Sequence, residues 1–294
     1  MDSQKKFPLA FSFEFFPPKT PDGIKKLNSV SSALAKVEPC FFSVTFGAGG
    51  STRERTLETV VELKQTTSID VAPHISCIGS TQQSIRDLLN TYIEKDIRHL
   101  VALRGDMPSG MHEAGEFRYA NDLVKFIRKE TGDHFFIEVA AYPEYHPQCT
   151  SPQQDLLNFK RKVEAGADAA LTQYFFNPDA YFYFVDGCEK QGLDLPVVPG
   201  IMPITNHTQL ARFSDACGAE IPRWIRRRLE SFGDDTSSLL AFGEEVITNL
   251  CETLLRGGAP GLHFYTLNKA EPSLAVWNNL GLSSVKAERA LHTS

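Results

Sequence analysis

The strongest constraint on the fold of this chain is a regular alternation of short apolar runs with longer amphipathic stretches. Eight runs have the length and apolar content of buried strands, and they lie at 11–15, 41–45, 70–76, 99–105, 135–142, 169–175, 195–201 and 261–267. Stretches with apolar residues at helical spacing follow them at 22–36, 53–66, 81–95, 119–130, 152–165, 178–190, 207–217 and 270–280. Strands buried on both faces of a parallel sheet are apolar almost throughout, so the pattern predicts parallel strands covered by helices.

Eight strand–helix units in a chain of 294 residues favour a closed (β/α)₈ barrel of the TIM type. An open, doubly wound sheet is the alternative that the same pattern allows. No linker rich in Pro, Gly or Ser divides the chain, so we expect one domain over 1–294 with a core at about 11–282. A helical insertion is predicted at 222–256, before the last strand.

Composition excludes several classes of function. The net charge of −6, without a block of like charges, argues against a general nucleic-acid binder. The six cysteines form no C-x-x-C pair, which fits neither a zinc site nor a disulfide framework, and no other metal-ligand spacing is present. No run of about 18 apolar residues and no signal-like N-terminus occurs, so the sequence predicts a soluble, cytoplasmic protein without a metal or a membrane span.

The active site of an α/β barrel lies at the carboxyl ends of its strands. In this chain those ends carry side chains that hydrogen-bond or ionise, namely Glu14, Thr45, His74, Arg104, Asp106, Tyr142, Gln173, Tyr265 and Thr266. Polar side chains at these positions are also expected if they simply mark the beginning of solvent-exposed loops. The carboxylate of Glu14, flanked by Phe13 and Phe15, is harder to explain in that way.

Glu14 faces the opposite side of its strand from Phe13 and Phe15. A buried carboxylate either finds a partner or raises its pKa and stays protonated, because burying an unpaired charge is costly. A protonated carboxyl at a barrel mouth suits general-acid catalysis. A structural ion pair with Arg or Lys of a neighbouring strand is the competing interpretation.

Two further motifs are ambiguous when taken alone. In LRGD (103–106), Gly105 allows backbone to approach a ligand and Arg104 could bind a phosphate, although a surface turn explains the motif equally well. In QQDLLNFKRK (153–162), Asp155, Asn158 and Lys162 share one helix face, beside Arg161, as they would on a solvated helix.

The glycine run GAGGS (47–51) is neither a dinucleotide fingerprint nor a P-loop, so we interpret it as a flexible active-site loop. His99 and His134 begin apolar runs, and we interpret both as structural.

Nine segments in order resemble the methylenetetrahydrofolate reductases of the short, bacterial type. They are FSFEFFPPKT, FFSVTFGAGG, APHISC, HLVALRGD, VAAYPEYHP, DLLNFKRKVEAGAD, TQYFF, VPGIMPITN and LHFYTLNKAE, between about 11 and 282. The resemblance implies an FAD-containing barrel without a regulatory domain, in a homo-oligomer. NADH or NADPH would reduce the flavin and leave, and methylenetetrahydrofolate would then take the hydride. The sequence does not decide between the two nucleotides.

By this resemblance, Glu14 is the general acid that protonates a folate ring nitrogen, so that the five-membered ring opens to an iminium cation. Asp106 is the carboxylate beside flavin and pterin that stabilises this cation. Gln173 contacts the pterin and, in its turn, the nicotinamide. Gln209 and Phe213 line the site shared by folate and reduced nucleotide.

The same resemblance assigns flavin contacts to Thr45, His74, Arg104, Gly105, Asp106, Ala120, Tyr142, His146, Asp155, Asn158, Arg161 and Lys162. One departure concerns Lys269, where many relatives carry an Arg that touches folate; Lys keeps the charge but loses the planar fork. The alternatives are a flavin-free barrel lyase or aldolase that uses Glu14 and a lysine, and a non-catalytic binding barrel.

Overall fold

The computed structural model describes residues 1–46, 50–105 and 115–282, with the side chains of 50–52 left out. Its strands are β1 Ala10–Phe15, β2 Phe41–Val44, β3 Asp70–Ser76, β4 His99–Leu103, β5 Phe136–Ala141, β6 Ala169–Thr172, β7 Val197–Val198, β8 Gly200–Ile201 and β9 Gly261–Tyr265. Its helices are α1 Asp2–Lys5, α2 Pro21–Ala35, α3 Gly50–Thr67, α4 Gln82–Glu94, α5 Ala120–Thr131, α6 Pro152–Glu164, α7 Pro178–Lys190, α8 His207–Cys217, α9 Arg223–Ser231, α10 Thr236–Gly257 and α11 Glu271–Asn279.

All neighbouring strands are parallel, in the order β7-β6-β5-β4-β3-β2-β1-β9-β8. The two ends of this order, β7 and β8, flank a single residue, Pro199. They therefore form one interrupted strand position, in which β7 pairs with β6 and β8 pairs with β9. Proline has no N–H to give to a ladder, but the carbonyl of Pro199 accepts a hydrogen bond from the His263 amide at 2.9 Å. The predicted eight-unit barrel is confirmed, with its seventh strand broken at Pro199.

Alternation along the strands produces two apolar regions. Phe13, Phe15 and Phe42 are fully buried between the strands and the surrounding helices, in the main core. A second, smaller cluster contains Phe41, Val101 and four other side chains of the barrel interior. The interior is therefore filled with side chains, as the (β/α)₈ fold requires.

The helices before the last strand differ in arrangement from the prediction. The predicted insertion at 222–256 consists of two helices, and the longer of them, α10, packs against both α7 and α11. These contacts place α10 in the outer ring of helices around the barrel. The helices α8 and α9 are therefore the ones inserted between the seventh strand and the ring helix that follows it. At Gly243 an added Cβ would lie 2.4 Å from the Ile204 carbonyl oxygen, so glycine allows α10 to pack this closely. No helix in the described ranges is long and apolar enough to cross a membrane.

Two helix ends follow the local sequence rules. Thr81, the N-cap of α4, accepts a hydrogen bond from the Ser84 amide, and the Ser84 hydroxyl in turn accepts one from the Thr81 amide. Gly166, directly after the C-cap of α6, has φ of +111°, a conformation that glycine adopts readily.

The short helix α1 was not predicted. Its side chain Gln4 is buried and bridges two backbone groups at the start of the interrupted strand. Gln4 Nε2 donates to the Leu195 carbonyl at 3.1 Å, and its Oε1 accepts from the Val197 amide at 2.8 Å. The N-terminus thus satisfies backbone groups that have no ladder partner there.

Candidate active site

A cavity of about 1070 Å³ opens at the carboxyl ends of the strands. This volume is at the upper end of the range for sites that hold a cofactor or a small substrate. Nine of the residues named from the sequence line it: Glu14, Thr45, His74, Gly105, Tyr142, His146, Gln173, Phe213 and Tyr265. The barrel rule therefore located the cavity correctly.

Glu14 lies in the cavity wall between two histidines from neighbouring strands. Its Oε2 is 3.3 Å from His74 Nε2 and 3.5 Å from His263 Nε2. The other ring nitrogen of His263, Nδ1, lies 2.7 Å from the hydroxyl of Ser12. Because Ser12 and Glu14 are two residues apart on β1, their side chains point into the barrel together. The result is a buried hydroxyl–imidazole–carboxyl chain that ends at the cavity.

The two histidines determine the ionisation of this carboxyl. Burial alone would raise the pKa of Glu14, but the two imidazoles beside it, His74 foremost, outweigh burial and lower the pKa to about 2. Of the two outcomes expected for a buried carboxylate, the structure shows the one with a partner. The partners are histidines, however, and not the Arg or Lys considered from the sequence.

Tyr265 is the register partner of Glu14 on β9 and also lines the cavity. Its hydroxyl donates to the Thr172 carbonyl at 2.7 Å, which holds the ring across the break in the barrel. An added Cβ at Gly200 would lie 2.1 Å from the Thr172 oxygen and 2.6 Å from the Tyr265 ring. Only glycine therefore lets β8 reach this position.

The loop after β1 is fastened to the loop after β9 by one side chain. Asn268 Oδ1 accepts from the Phe16 amide at 3.0 Å, and Asn268 Nδ2 donates to the Phe16 carbonyl at 2.9 Å. Thr266 adds a bond from its hydroxyl to the Glu14 carbonyl at 2.6 Å. These contacts fix the backbone at Glu14 and just after it.

The segment after β5 forms another wall, and the helix α6 packs beside it. The Asp155 carboxylate accepts from the His146 amide at 3.1 Å, and the His146 ring meets the Tyr142 ring edge-on at 4.6 Å. Lys162 Nζ donates to the Ala140 carbonyl at 2.5 Å and lies 6.0 Å from the Tyr142 ring. Burial lowers the pKa of Lys162 to about 8, against an opposing effect of Asp155. The helix face noted in the sequence is thus a partly buried face beside the cavity.

The LRGD segment ends β4 at the cavity. Gly105 has φ of +81°, and a Cβ there would lie 2.0 Å from Ser76 Oγ, so no other residue fits without displacement. Arg104 Nη2 donates to Gln148 Oε1 at 2.5 Å, across to the loop after β5. Asp106 and the loop at 47–49 lie outside the described residues.

The remaining predicted residues are not among those that line the cavity. Ala120 is the first residue of α5, and Asn158 bonds Arg161 on the face of α6 at 2.8 Å. At the start of α8 the Gln209 amide donates a hydrogen bond to Oδ1 of the N-cap residue Asn206 at 2.8 Å. Lys269 Nζ lies 3.5 Å from Thr205 Oγ1. The structure neither joins these side chains to the Glu14 cluster nor tests their proposed roles.

Three residues of the site were missed: Ser12, His263 and Arg53. Strand alternation could have identified the first two, because Ser12 shares a face with Glu14 and His263 shares one with Tyr265. Arg53 follows the glycine run, and its place in the cavity wall depends on how α3 is oriented. No sequence signal reports that orientation.

Elsewhere inside the barrel, His99 is buried beside Glu138, with 3.5 Å between Nε2 and Oε2, and its ring centroid is 4.2 Å from that of Phe41. Neither His99 nor His134 lines the cavity. Within the described residues no group of three or more His, Cys, Asp or Glu side chains is placed to hold a metal ion.

The sequence profile of the methylenetetrahydrofolate reductase family matches residues 2–281. The chain belongs to the methylenetetrahydrofolate reductase family. The 5,10-methylenetetrahydrofolate reductase of Escherichia coli (strain K12) is 41% identical over 271 residues, covering 92% of this chain and 90% of the relative. Methylenetetrahydrofolate reductase (NADH) 1 of Arabidopsis thaliana is 38% identical over 286 residues, covering 93% of this chain but 48% of the plant protein. The predicted similarity to the short, bacterial reductases is confirmed.

Solved structures show the same fold at low sequence identity. A Clostridium thermocellum protein, described as binding two copies of 5-methyl-5,6,7,8-tetrahydrofolic acid, superimposes with a TM-score of 0.66 and 15% identity. The superposition covers 97% of this chain and 98% of that protein. At this identity the likeness supports the barrel architecture of the reductase family and nothing finer.

Proposed function

We propose that this reductase transfers a hydride from NADH or NADPH, through bound FAD, to 5,10-methylenetetrahydrofolate and releases 5-methyltetrahydrofolate. The observation that carries the proposal is the ionisable Glu14 cluster in the wall of a large cavity, in a chain of this family. The two cosubstrates use the cavity in turn, so the reaction is ping-pong.

The residues present fit a flavin dinucleotide. At Gly105 the ligand would meet backbone and no side chain. A Cβ at this position would collide with Ser76, so glycine is required there. Thr45, His74, Tyr142 and His146 line the same cavity. FAD, when bound, supplies the hydride chemistry, and these residues orient it.

Three cations beside the cavity, outside its lining, suit a ligand with a diphosphate. Arg104 and the α6 residues Arg161 and Lys162 would hold its anionic part, and Asp155 and Asn158 its hydroxyl groups. Ala120 would contribute backbone from the start of α5. The flavin contacts would then lie at the carboxyl ends of β2, β3, β4 and β5 and on the helices α5 and α6.

Glu14 moves the proton. Ring opening of the folate requires a proton on a ring nitrogen, and Glu14 delivers it from the cluster that it forms with His74 and His263. The imidazoles lie within 3.5 Å of the carboxyl and can restore the proton after each transfer. Ser12 holds the ring orientation of His263.

Other assignments follow from the family resemblance. Gln173 and Phe213, both in the cavity wall, would contact the pterin and the nicotinamide in turn. Gln209 and Lys269 would reach the rest of the folate. Asp106 would place a negative charge beside the flavin and the developing cation.

Separate measurement of the two half-reactions tests the role of Glu14. In Glu14→Gln, we expect flavin reduction by NADH or NADPH to stay within about twofold of the wild type. Reoxidation by methylenetetrahydrofolate should slow by roughly 10²–10⁴-fold, because only that half needs the proton. Stopped-flow flavin absorbance follows both steps.

Glu138→Gln is the matched control, since Glu138 is a second buried carboxyl inside the barrel but does not line the cavity. It should leave both half-reactions unchanged. Equal loss in both halves for Glu14→Gln would contradict the proton role. A purified protein that is colourless and binds no added FAD would instead favour a lyase or aldolase.

A further inference from the structure

Arg53 has a position in the cavity that none of the roles above explains. It lies in the first turn of α3, which is attached to the end of β2 by a hydrogen bond from Thr56 Oγ1 to the Thr45 carbonyl at 3.1 Å. Side chains of a helix lean toward its N-terminus, so Arg53 extends over the cavity that it lines. Its Nη2 donates to Ser80 Oγ at 2.6 Å, and its guanidinium carbon is 5.6 Å from the centre of the Phe46 ring.

The charge of Arg53 has no counter-ion among the described residues, where no carboxylate oxygen lies within 4 Å of its guanidinium. Arg86 differs, because its Nε lies 2.7 Å from Glu130 Oε2. The first turn of α3 contains no acidic residue, although a helix N-terminus is the positive end of the helix dipole. At the neighbouring helix α4 a carboxylate is present, since Glu116 accepts a bond from the Gln82 amide. Arg53 therefore adds a positive charge where the helix is already positive.

Arg53 is also the only Lys or Arg among the described residues that line the cavity. A guanidinium has five N–H donors in a planar fork, and the hydroxyl of Ser80 occupies one of them. The fork matches two oxygens of a phosphate, and a bound anion would neutralise both the side chain and the helix terminus.

The position in the barrel distinguishes among anions. Arg53 follows β2, which is next to β3, and so borders the loops after β3, β4 and β5 to which the dinucleotide is assigned above. Lys269, assigned to folate, follows β9 on the other side of β1. We propose that Arg53 binds a phosphate oxygen of a dinucleotide held in this cavity. The proposal rests on the function proposed above, and the phosphate belongs either to FAD or to the reduced nicotinamide nucleotide.

Three variants test it: Arg53→Gln, Arg53→Lys and, as a control, Arg227→Gln on the exposed face of α9. FAD affinity is measured on the apoprotein by flavin fluorescence, and the KM values for NADH and NADPH are measured by flavin reduction in the FAD-loaded protein. In Arg53→Gln we expect the FAD Kd or a nicotinamide KM to rise roughly tenfold or more, because a hydrogen bond to a charged group is lost. Arg53→Lys should recover part of the loss, and Arg227→Gln should match the wild type.

The affected ligand identifies the source of the phosphate. A change in the FAD Kd assigns it to the flavin, a change in both nicotinamide KM values to the shared diphosphate, and a change with NADPH alone to the 2′-phosphate. The effect should shrink as ionic strength rises. Unchanged constants for all three ligands, or a rise in the methylenetetrahydrofolate KM alone, would overturn the proposal.

Arg53 also bridges two loops, so a structural role needs its own test. Ser80→Ala removes the bridge and keeps the charge. If Ser80→Ala and Arg53→Gln weaken dinucleotide binding equally and lower Tm equally, Arg53 is only a link between loops. Calorimetry with inorganic pyrophosphate separates this proposal from the proposed function: weaker pyrophosphate binding in Arg53→Gln supports the site even in a protein that takes no FAD, and equal binding rejects it.

Discussion

Glu14 lies 3.3 Å from His74 and 3.5 Å from His263, and these two imidazoles hold its pKa near 2 against the effect of burial. A carboxyl whose pKa is lowered on folding stabilises the native state above its ordinary pKa of about 4.5 and loses that contribution as pH falls toward 2. At neutral pH the resting carboxyl is therefore ionised. The proposed proton delivery by Glu14 therefore requires that a proton reach this carboxyl when substrate is bound.

This ionisation has a measurable effect on stability. Between about pH 4.5 and pH 2 we expect the wild type to lose stability more steeply than Glu14→Gln, which has no carboxyl to protonate. Urea unfolding at a series of pH values measures the difference. Parallel curves for the two proteins would show that the histidines do not hold the carboxyl in its charged form.

The pKa shift of Lys162 changes stability with pH in a different way from that of Glu14, because its buried charge is destabilising. Its pKa is lowered from 10.5 to about 8, so the buried charge costs stability at neutral pH, and stability should rise as pH increases from about 8 to 10.5. Lys162→Met should stabilise the ligand-free protein at pH 7 by roughly 1–2 kcal/mol, after the loss of its bond to Ala140 is subtracted. The same variant should bind FAD more weakly. Thermal unfolding with and without FAD measures both effects, and a Tm that falls without FAD would count against this account.

The position of a single residue could be predicted from the sequence where it depended on one strand alone. The alternation of Phe13, Glu14 and Phe15 was enough to place the carboxyl inside the barrel. It could not supply the distance from Glu14 to His263, because that distance depends on the register of β1 with β9 across the whole chain. The identity of the partner, and hence the direction of the pKa shift, could not be predicted for the same reason.

Among the elements, the seventh strand differs most from its prediction. The run at 195–201 is apolar, as a strand should be, and Pro199 removes one ladder donor from it, but the neighbouring strands determine how its two halves are held. The bond from His263 to the Pro199 carbonyl and the space that Gly200 leaves for Tyr265 belong to neighbouring strands. A sequence pattern records the apolar run but not these contacts.

The start of this broken strand depends on α1. Gln4→Ala should destabilise the protein by roughly 1–3 kcal/mol, because the buried Leu195 carbonyl and Val197 amide both lose their partner. Gln191→Ala, at the exposed end of α7, is the control and should change stability by less than about 0.5 kcal/mol. Chemical denaturation measures both. Equal stability of Gln4→Ala and wild type would mean that water replaces Gln4 at no cost.

On the scale of the whole molecule, one cluster of buried side chains joins β1 to α10 and α11. A main core that extends from the first strand to the last helices predicts that the chain unfolds as one domain, in one cooperative transition. Far-UV circular dichroism and the release of bound FAD should then give coincident thermal midpoints. Two separated transitions would indicate that part of the chain folds independently of the barrel.

The contact between Ser12 and His263 joins residues 251 positions apart in the chain. The segment that holds Glu14 leaves the ribosome well before the segment that holds His263. While the residues between them are being made, the nascent chain contains the Glu14 strand without one of the imidazoles that lower the pKa of that carboxyl. The pairing of β1 with β9 brings the two together, so this contact of high sequence separation forms only after β9 has been synthesised.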